Sequence, residues 1–280
     1  PLMCMLLNVK GWQWMVGIVF GLQFLFSLGG AVFHHLLLWG LFFTCCYWAR
    51  YQPRRRFVPV LIAGLLAVMV LQPVKTAFRH DEGAGHSRTE RAIGFATLLA
   101  RYVAHPGEVF GPEALGYTLM RLNQGWIVNR VIRRVPAVEP HCGFEILAAQ
   151  GTAALFPRIL LPGKYRVGGK AYFERFTGHT LFGASMGLGF AGEFYAGFGY
   201  WGGLMASFVY GAALGAGFSM IYRMARKSAL WWAWGGLIFL VAVKAEDTVG
   251  NALNWAVKAT IVAVLIMLAL PRLNQALMKR

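Results

Sequence analysis

The chain has 280 residues, with 27 Lys plus Arg against 11 Asp plus Glu and a formal net charge of +16. Apolar residues make up 58% and charged residues 14%, and mean hydropathy is +0.53, whereas soluble domains carry about 45–50% and about 25%. These figures exclude a disordered chain and speak against a soluble globular enzyme. The cations are separated by long uncharged apolar runs. That is the pattern of an inner-membrane protein with cationic loops rather than a nucleic-acid surface.

Six runs are apolar enough to be expected as membrane spans: residues 12–29, 31–48, 57–74, 194–222, 229–243 and 251–270, the last interrupted by Lys258. The connecting segments 50–56 and 223–227 and the tail 272–280 carry basic residues and no acid. All 11 acids lie between residues 81 and 193 or at Glu246 and Asp247. Positive loops stay in the cytoplasm, so residues 75–193 are expected outside. The expected division is spans one to three at 1–74, an outer catalytic segment at 75–193, and spans four to six at 194–280. The chain begins at Pro1 rather than Met and has no signal peptide, so a trimmed N-terminus is expected.

In the outer segment, Ser87-Arg-Thr-Glu90 has the form of a capping box, followed by Ile93, Phe95, Leu98 and Leu99. Residues 113–135 read as a second helix, with Asn123, Arg130, Arg133 and Arg134 on one face, stopped by Pro136 and Pro140. Residues 155–170, with Pro157 and Pro162, read as a loop. Residues 176–199 are Gly-rich and uncharged apart from His179 and Glu193. Counting 176–192 as a full span would reverse the sidedness of everything after it. A re-entrant or broken helix is expected instead, of the kind tolerated at membrane depth when buried in protein. Glu193 at its end is a functional candidate by position; the plainer alternative is an interfacial glutamate. The spacings Gly199-x-x-x-Gly203 and Gly211-x-x-x-Gly215 favour tight helix packing over a substrate groove.

No phosphate-binding loop, zinc motif, C-x-x-C pair or nucleophile elbow is present. Cys4, Cys45, Cys46 and Cys142 show no disulfide or metal spacing. His34 and His35 point about 100° apart on a helix and are read as packing groups. His80 and His86, flanking Asp81 and Glu82, are read as exposed loop residues. No metal or cofactor is expected. What remains is an outer face of arginines, aromatics and a few carboxylates. Guanidinium groups bind phosphate through paired hydrogen bonds. A lipid-linked diphosphate would suit such a face, with a sugar against Trp126, Tyr165, Tyr172 or Tyr195 and a carboxylate taking the proton of an attacking hydroxyl. Attraction to anionic headgroups is the alternative role for the arginines.

Four motifs in order carry a resemblance: Lys75-Thr-Ala-Phe-Arg79, Arg121-Leu-Asn-Gln-Gly-Trp126, Phe156-Pro-Arg-Ile-Leu-Leu-Pro-Gly-Lys164, and the Gly-Glu-Phe-Tyr-Ala-Gly-Phe-Gly block at 192–199. Over residues 75–215 the chain resembles bacterial O-antigen and exopolysaccharide polymerases of the Wzy type (oligosaccharide repeat-unit polymerases). The resemblance implies an all-α, polytopic inner-membrane glycosyltransferase with a large periplasmic loop and the GT-C-like polymerase and ligase architecture. It implies joining of polyprenyl-diphosphate-linked oligosaccharide repeats at the periplasmic face, with release of polyprenyl diphosphate. A chain-length regulator protein is an implied partner besides membrane lipids, and nucleic acid is not. The implied site has Glu193, Arg121 and Arg158 as catalytic residues. Lys75, Arg79, Asn123, Arg130, Lys164, Tyr195 and Trp126 are expected to bind substrate. Family members have more spans than the six counted here. The competing expectations are an O-antigen ligase or other lipid-linked sugar transferase, a non-enzymatic membrane subunit of a larger assembly, and a transporter, which paired interrupted spans would support.

Overall fold

The computed structural model describes residues 5, 10–30, 33–51, 57–81, 87–112, 115–116, 119, 123, 125–156, 163, 169–180, 186–226, 229–242, 244 and 246–269. Among them every regular element is a helix, as the composition and periodicity led us to expect. Packing divides the chain into two units, Pro1–Asn123 and Gln124–Arg280. This boundary falls inside the segment that predicted sidedness treats as one outer region.

The first unit holds α1 (Trp12–Gly30), α2 (His34–Tyr51), α3 (Phe57–Asp81), α4 (Arg88–Ala104) and the single turn α5 (Pro106–Val109). The three long helices rise on the apolar runs read from the sequence. The capping box at the head of α4 forms as its spacing predicts. Ser87 Oγ accepts from the Glu90 N–H at 3.3 Å, and Glu90 Oε2 accepts from the Ser87 N–H at 2.7 Å. The apolar face that follows brings Phe95 into a buried cluster with Phe33, Val74 and Phe78. The Phe95 ring lies 5.0 Å from Phe33 and 5.5 Å from Phe78.

The second unit holds α6 (Gly125–Arg134), α7 (Glu145–Leu155), α8 (Lys170–Thr177), α9 (Gly189–Ala225), α10 (Ala229–Phe239) and α11 (Val249–Ala269). The helix expected over 113–135 is interrupted: Asn123 is not helical, and α6 begins at Gly125. Within α6 the predicted division of faces holds in part: Val131 is buried, as is Ile127, and Arg130 and Arg133 are exposed, but Arg134 is half-buried with its Nε donating to the Arg175 carbonyl. Those buried residues join Val135, Ile146, Phe173, Phe176, Leu188 and Ala196 in the unit's core.

The helix α9 is two arms. Gly199, at φ 70° and ψ −164°, breaks it in a region open essentially to glycine alone. The chain then reverses. A Cβ on Gly203 would stand 3.2 Å from the Phe194 backbone, and the Tyr210 ring lies 4.9 Å from Phe190 and 5.7 Å from Phe194. Nine residues of straight helix would separate Gly203 from Phe194 by about 13 Å. The close approach therefore requires a hairpin whose arms are residues 189–198 and 200–225. Of the Gly199/Gly203 pair, Gly203 serves tight packing, as read from the sequence, against the helix's own other arm, while Gly199 is the hinge and faces the His141 ring. Gly211 and Gly215 meet nothing within 4 Å among the described residues.

Among the described residues two helices are long and apolar enough to cross a membrane, Gly189–Ala225 and Val249–Ile266; Trp12–Ser27, Leu36–Trp48 and Ile62–Lys75 are shorter apolar stretches. The second arm alone runs roughly 39 Å and meets the length requirement without the first. The run 229–243, counted as a span from its apolarity, forms an 11-residue helix and then turns at 240–242. At 1.5 Å per residue that helix covers about 16 Å, half the hydrocarbon thickness. It climbs back along the second arm, Phe239 packing on Phe218 and Gly217, and delivers the turn from which α11 starts.

Candidate functional site

The Gly-Glu-Phe-Tyr block lies on the first arm of the α9 hairpin, and its carboxylate is the centre of a buried polar knot. Glu193 is only 4% exposed. Its Oε1 accepts from Gln150 Nε2 at 2.8 Å and from the Tyr172 hydroxyl at 2.9 Å, and its Oε2 accepts from the Val249 N–H at 2.8 Å. Gln150, fully buried on α7, uses its other end as well, its Oε1 accepting from the Gly250 N–H at 2.9 Å. Three donors from α7, α8 and α11 thus converge on one carboxylate carried by α9.

The arrangement follows from the needs of α11. The first N–H groups of a helix have no partner within it. Here Val249 donates to Glu193, Gly250 to Gln150, and Asn251 to Thr248 Oγ1 at 3.1 Å; Ala252 then makes the first intrahelical bond, to the Thr248 carbonyl. Two of the three caps come from distant segments. A carboxylate also complements the positive end of the helix dipole. Next to this cap, Asp247 pairs with Lys244 Nζ at 3.0 Å and accepts from Asn251 Nδ2 at 2.7 Å and from the Thr248 N–H at 3.0 Å. The Tyr210 hydroxyl, on the second arm, is buried without a hydrogen-bond partner among the described residues.

The other expected site residues belong to different units or lie outside the described residues. Lys75 and Arg79 stand one turn apart on α3 in the first unit; Lys75 is half-buried and the Arg79 side chain lies outside the described residues. Asn123, exposed, closes that unit, its N–H bonded to the Leu119 carbonyl. Arg121, Arg158 and Lys164 lie outside the described residues, as do Tyr165 and the side chains of His34, His35, His80 and His86. In the second unit, Trp126 is half-buried, edge-on to Phe173 and His179 at ring distances of 6.2 and 5.8 Å. Tyr195 turns away from the knot, its hydroxyl donating to the Val135 carbonyl at 3.4 Å and its ring against His141. Tyr172, expected as a platform for a sugar, is instead buried, with its hydroxyl spent on Glu193. Glu145 is exposed and 3.9 Å from Arg175, which also pairs with Glu139.

Gln150, Asp247, Thr248 and the backbone of Val249 and Gly250 were not among the expected site residues. The sequence holds a signal for each part. Gln150 interrupts the otherwise apolar run that follows Glu145, and Asp247-Thr248 immediately before an apolar run is a helix-start signal. In the loop before α7, burial pushes the Cys142 thiol above its ordinary range; the Cys142 N–H donates to the Ala196 carbonyl at 3.1 Å. Compared with family models, curated proteins and solved structures, the chain matches none.

Proposed function

We propose that the protein is a multi-pass glycosyltransferase of the bacterial inner membrane that polymerises lipid-linked oligosaccharide. In this reading a hydroxyl of one repeat unit attacks the anomeric carbon of another at the periplasmic face. The bond from that carbon to the diphosphate oxygen breaks, polyprenyl diphosphate leaves, and the hydroxyl proton passes to a carboxylate, Glu193 or, where Glu193 only holds the frame, the exposed Glu145. Arg121 and Arg158 would hold the departing diphosphate through paired hydrogen bonds. Lys75, Arg79, Asn123, Arg130, Lys164, Tyr195 and Trp126 would bind the remainder of the donor and acceptor. Six spans, with residues 75–193 outside, is the topology that goes with it, and α10 with its following turn would be the least regular of the spans.

The observation that carries the reading is the position of Glu193. The most distinctive motif of the resemblance places its one carboxylate where four helices of the second unit meet, beside the start of an apolar helix. Ionisable groups buried among apolar helices are costly and retained for function. A carboxylate has about four acceptor positions and three are occupied here; we therefore assign Glu193 primarily to holding the site's frame. A second reading is a non-enzymatic membrane subunit, in which Glu193 serves only to cap α11 and to join α7 and α8 to α9. Expression in a polymerase-null strain separates the readings: a returned ladder of polysaccharide lengths supports polymerisation, transfer of single units to an acceptor supports a ligase, and no product supports the subunit.

A further inference from the structure

We propose that the crown of the α9 hairpin, formed by Phe144, Tyr200 and Trp201 with Val138 on the loop leading to it, is an anchor seated in the bilayer interface, with the lipid headgroup region as its occupant. The proposal rests on the membrane reading above and adds a specific surface to it.

Two observations fix the level of the crown. The exposed apolar face of the second arm runs from Tyr200 to Tyr222, about 33 Å at 1.5 Å per residue, which matches a hydrocarbon core of about 30 Å. At one end stand Arg223 and Arg226, the latter's guanidinium 5.8 Å from the Tyr222 ring centre. At the other stand Tyr200 and Trp201, the tryptophan 76% exposed. Amphipathic rings at one limit and cations at the other are what the two edges of a membrane select.

The loop before α7 is fastened to this level. The Cys142 N–H donates to the Ala196 carbonyl and the Gly143 N–H to the Gly197 carbonyl at 3.0 Å, while the His141 ring lies 3.3 Å from where a Cβ on Gly199 would be. These bonds hold Phe144 with its ring 4.8 Å from Phe198, yet 74% exposed. Val138, on the same loop, is 65% exposed. Large apolar side chains held outward by backbone bonds cannot withdraw by rotating the loop. They need a partner, and the one continuous with them is whatever covers Tyr200 and Trp201. The Val138 N–H bonds to the Arg134 carbonyl, which fastens the start of this loop to the end of α6. Amphipathic rings and a held-out apolar tip suit the headgroup region.

The test uses the full chain in nanodiscs of phosphatidylethanolamine and phosphatidylglycerol, with an environment-sensitive fluorescent amino acid placed at Phe144, at Val138, or at Phe208 on the exposed face of the second arm. Lipids brominated near the headgroup or near the chain end quench by depth. Probes at 144 and 138 should be quenched about twofold or more better by the shallow bromines, and the probe at 208 better by the deep ones. Quenching at 208 with none at 144 and 138 overturns the anchor alone and leaves the crown to a protein partner or water. No quenching at 208 overturns the membrane reading and the anchor together. The position at Val138 serves if replacement of Phe144 disturbs its packing on Phe198.

Discussion

Replacing Glu193 by Gln separates a fold-holding carboxylate from a proton-taking one. The carboxylate accepts three hydrogen bonds through two oxygens, and glutamine offers one oxygen and one NH2 group. If the new carbonyl oxygen takes the Oε1 place, it keeps Gln150 and Tyr172, but its NH2 then faces the Val249 N–H, donor against donor. If the amide is turned over, Val249 keeps its acceptor and the NH2 faces Gln150 Nε2. Gln150 cannot turn in response, because its Oε1 is held by the Gly250 N–H. Either orientation leaves two buried donors without an acceptor, the Val249 N–H and the new NH2 in the first, Gln150 Nε2 and the Tyr172 O–H in the second, at a cost of at least about 1–3 kcal/mol. Alanine strands all three donors and should cost more than 3 kcal/mol, in the range reserved for broken buried networks. Tyr172→Phe removes one donor and leaves the carboxylate two, for an expected loss of about 1.5–3 kcal/mol as a bond to a charged group.

The assay is denaturant or thermal unfolding in one detergent, read alongside polymer length in the null strain. The holding role predicts the order wild type, then Gln, then Ala in stability, with polymer from Glu193→Gln retained at reduced temperature. A Glu193→Gln protein as stable as wild type would refute the reasoning from donors. If it were also inactive, Glu193 would be the base and the three bonds incidental.

The hairpin gives a second prediction: Gly199→Ala, forced into a glycine-only conformation beside His141, should lose about 1–3 kcal/mol. Gly203→Ala should also lose stability, because the arms must part to admit a Cβ at 3.2 Å from backbone, whereas Gly211→Ala, with open space around it, should be neutral in the same unfolding measurement. The Cys142 thiol should alkylate more slowly than a free cysteine at neutral pH. Its raised pKa leaves less thiolate, so its rate should still be climbing with pH where that of a model thiol has levelled off; a rate equal to the model thiol's would contradict the burial argument. Reporter fusions after Arg55 and Lys227 should read cytoplasmic and one after Gly107 periplasmic, and a cytoplasmic signal at Gly107 would overturn the proposed sidedness.

What could be read from the sequence was local. The Ser87–Glu90 box, the helices on apolar runs and the two faces of α6 each depend on residues within a few positions of one another. Hydropathy failed where the decision lay in a backbone angle or a distant contact. The Gly-rich stretch 176–199 signalled a broken or re-entrant helix, but nothing in the uncharged run through 194–222 fixes the reversal at Gly199, because a hydropathy sum does not register φ. The run 229–243 is apolar throughout, yet the helix ends at Phe239. The glycine spacing at 199 and 203 pointed to close packing but could not name Phe194 as the surface met.

The partners of Glu193 stand 21 to 56 positions away along the chain, so no local pattern joins them. One accounting argument would have narrowed the search. An ionisable residue among apolar helices is read first as catalytic, but an apolar helix also has to find acceptors for its opening N–H groups where neither lipid nor bulk water supplies them. The start of α11 reads Thr248-Val249-Gly250-Asn251, in which Thr248 can cap one N–H and Val249 and Gly250 contribute no side-chain acceptor. Two acceptors must come from elsewhere. The second unit holds few polar side chains within apolar runs, and Gln150 and Glu193 are two that do interrupt such runs. Counting orphan donors at helix starts against polar residues stranded in apolar segments thus pairs residues that periodicity cannot, and it turns a lone glutamate from a presumed base into the group that lets an apolar helix begin.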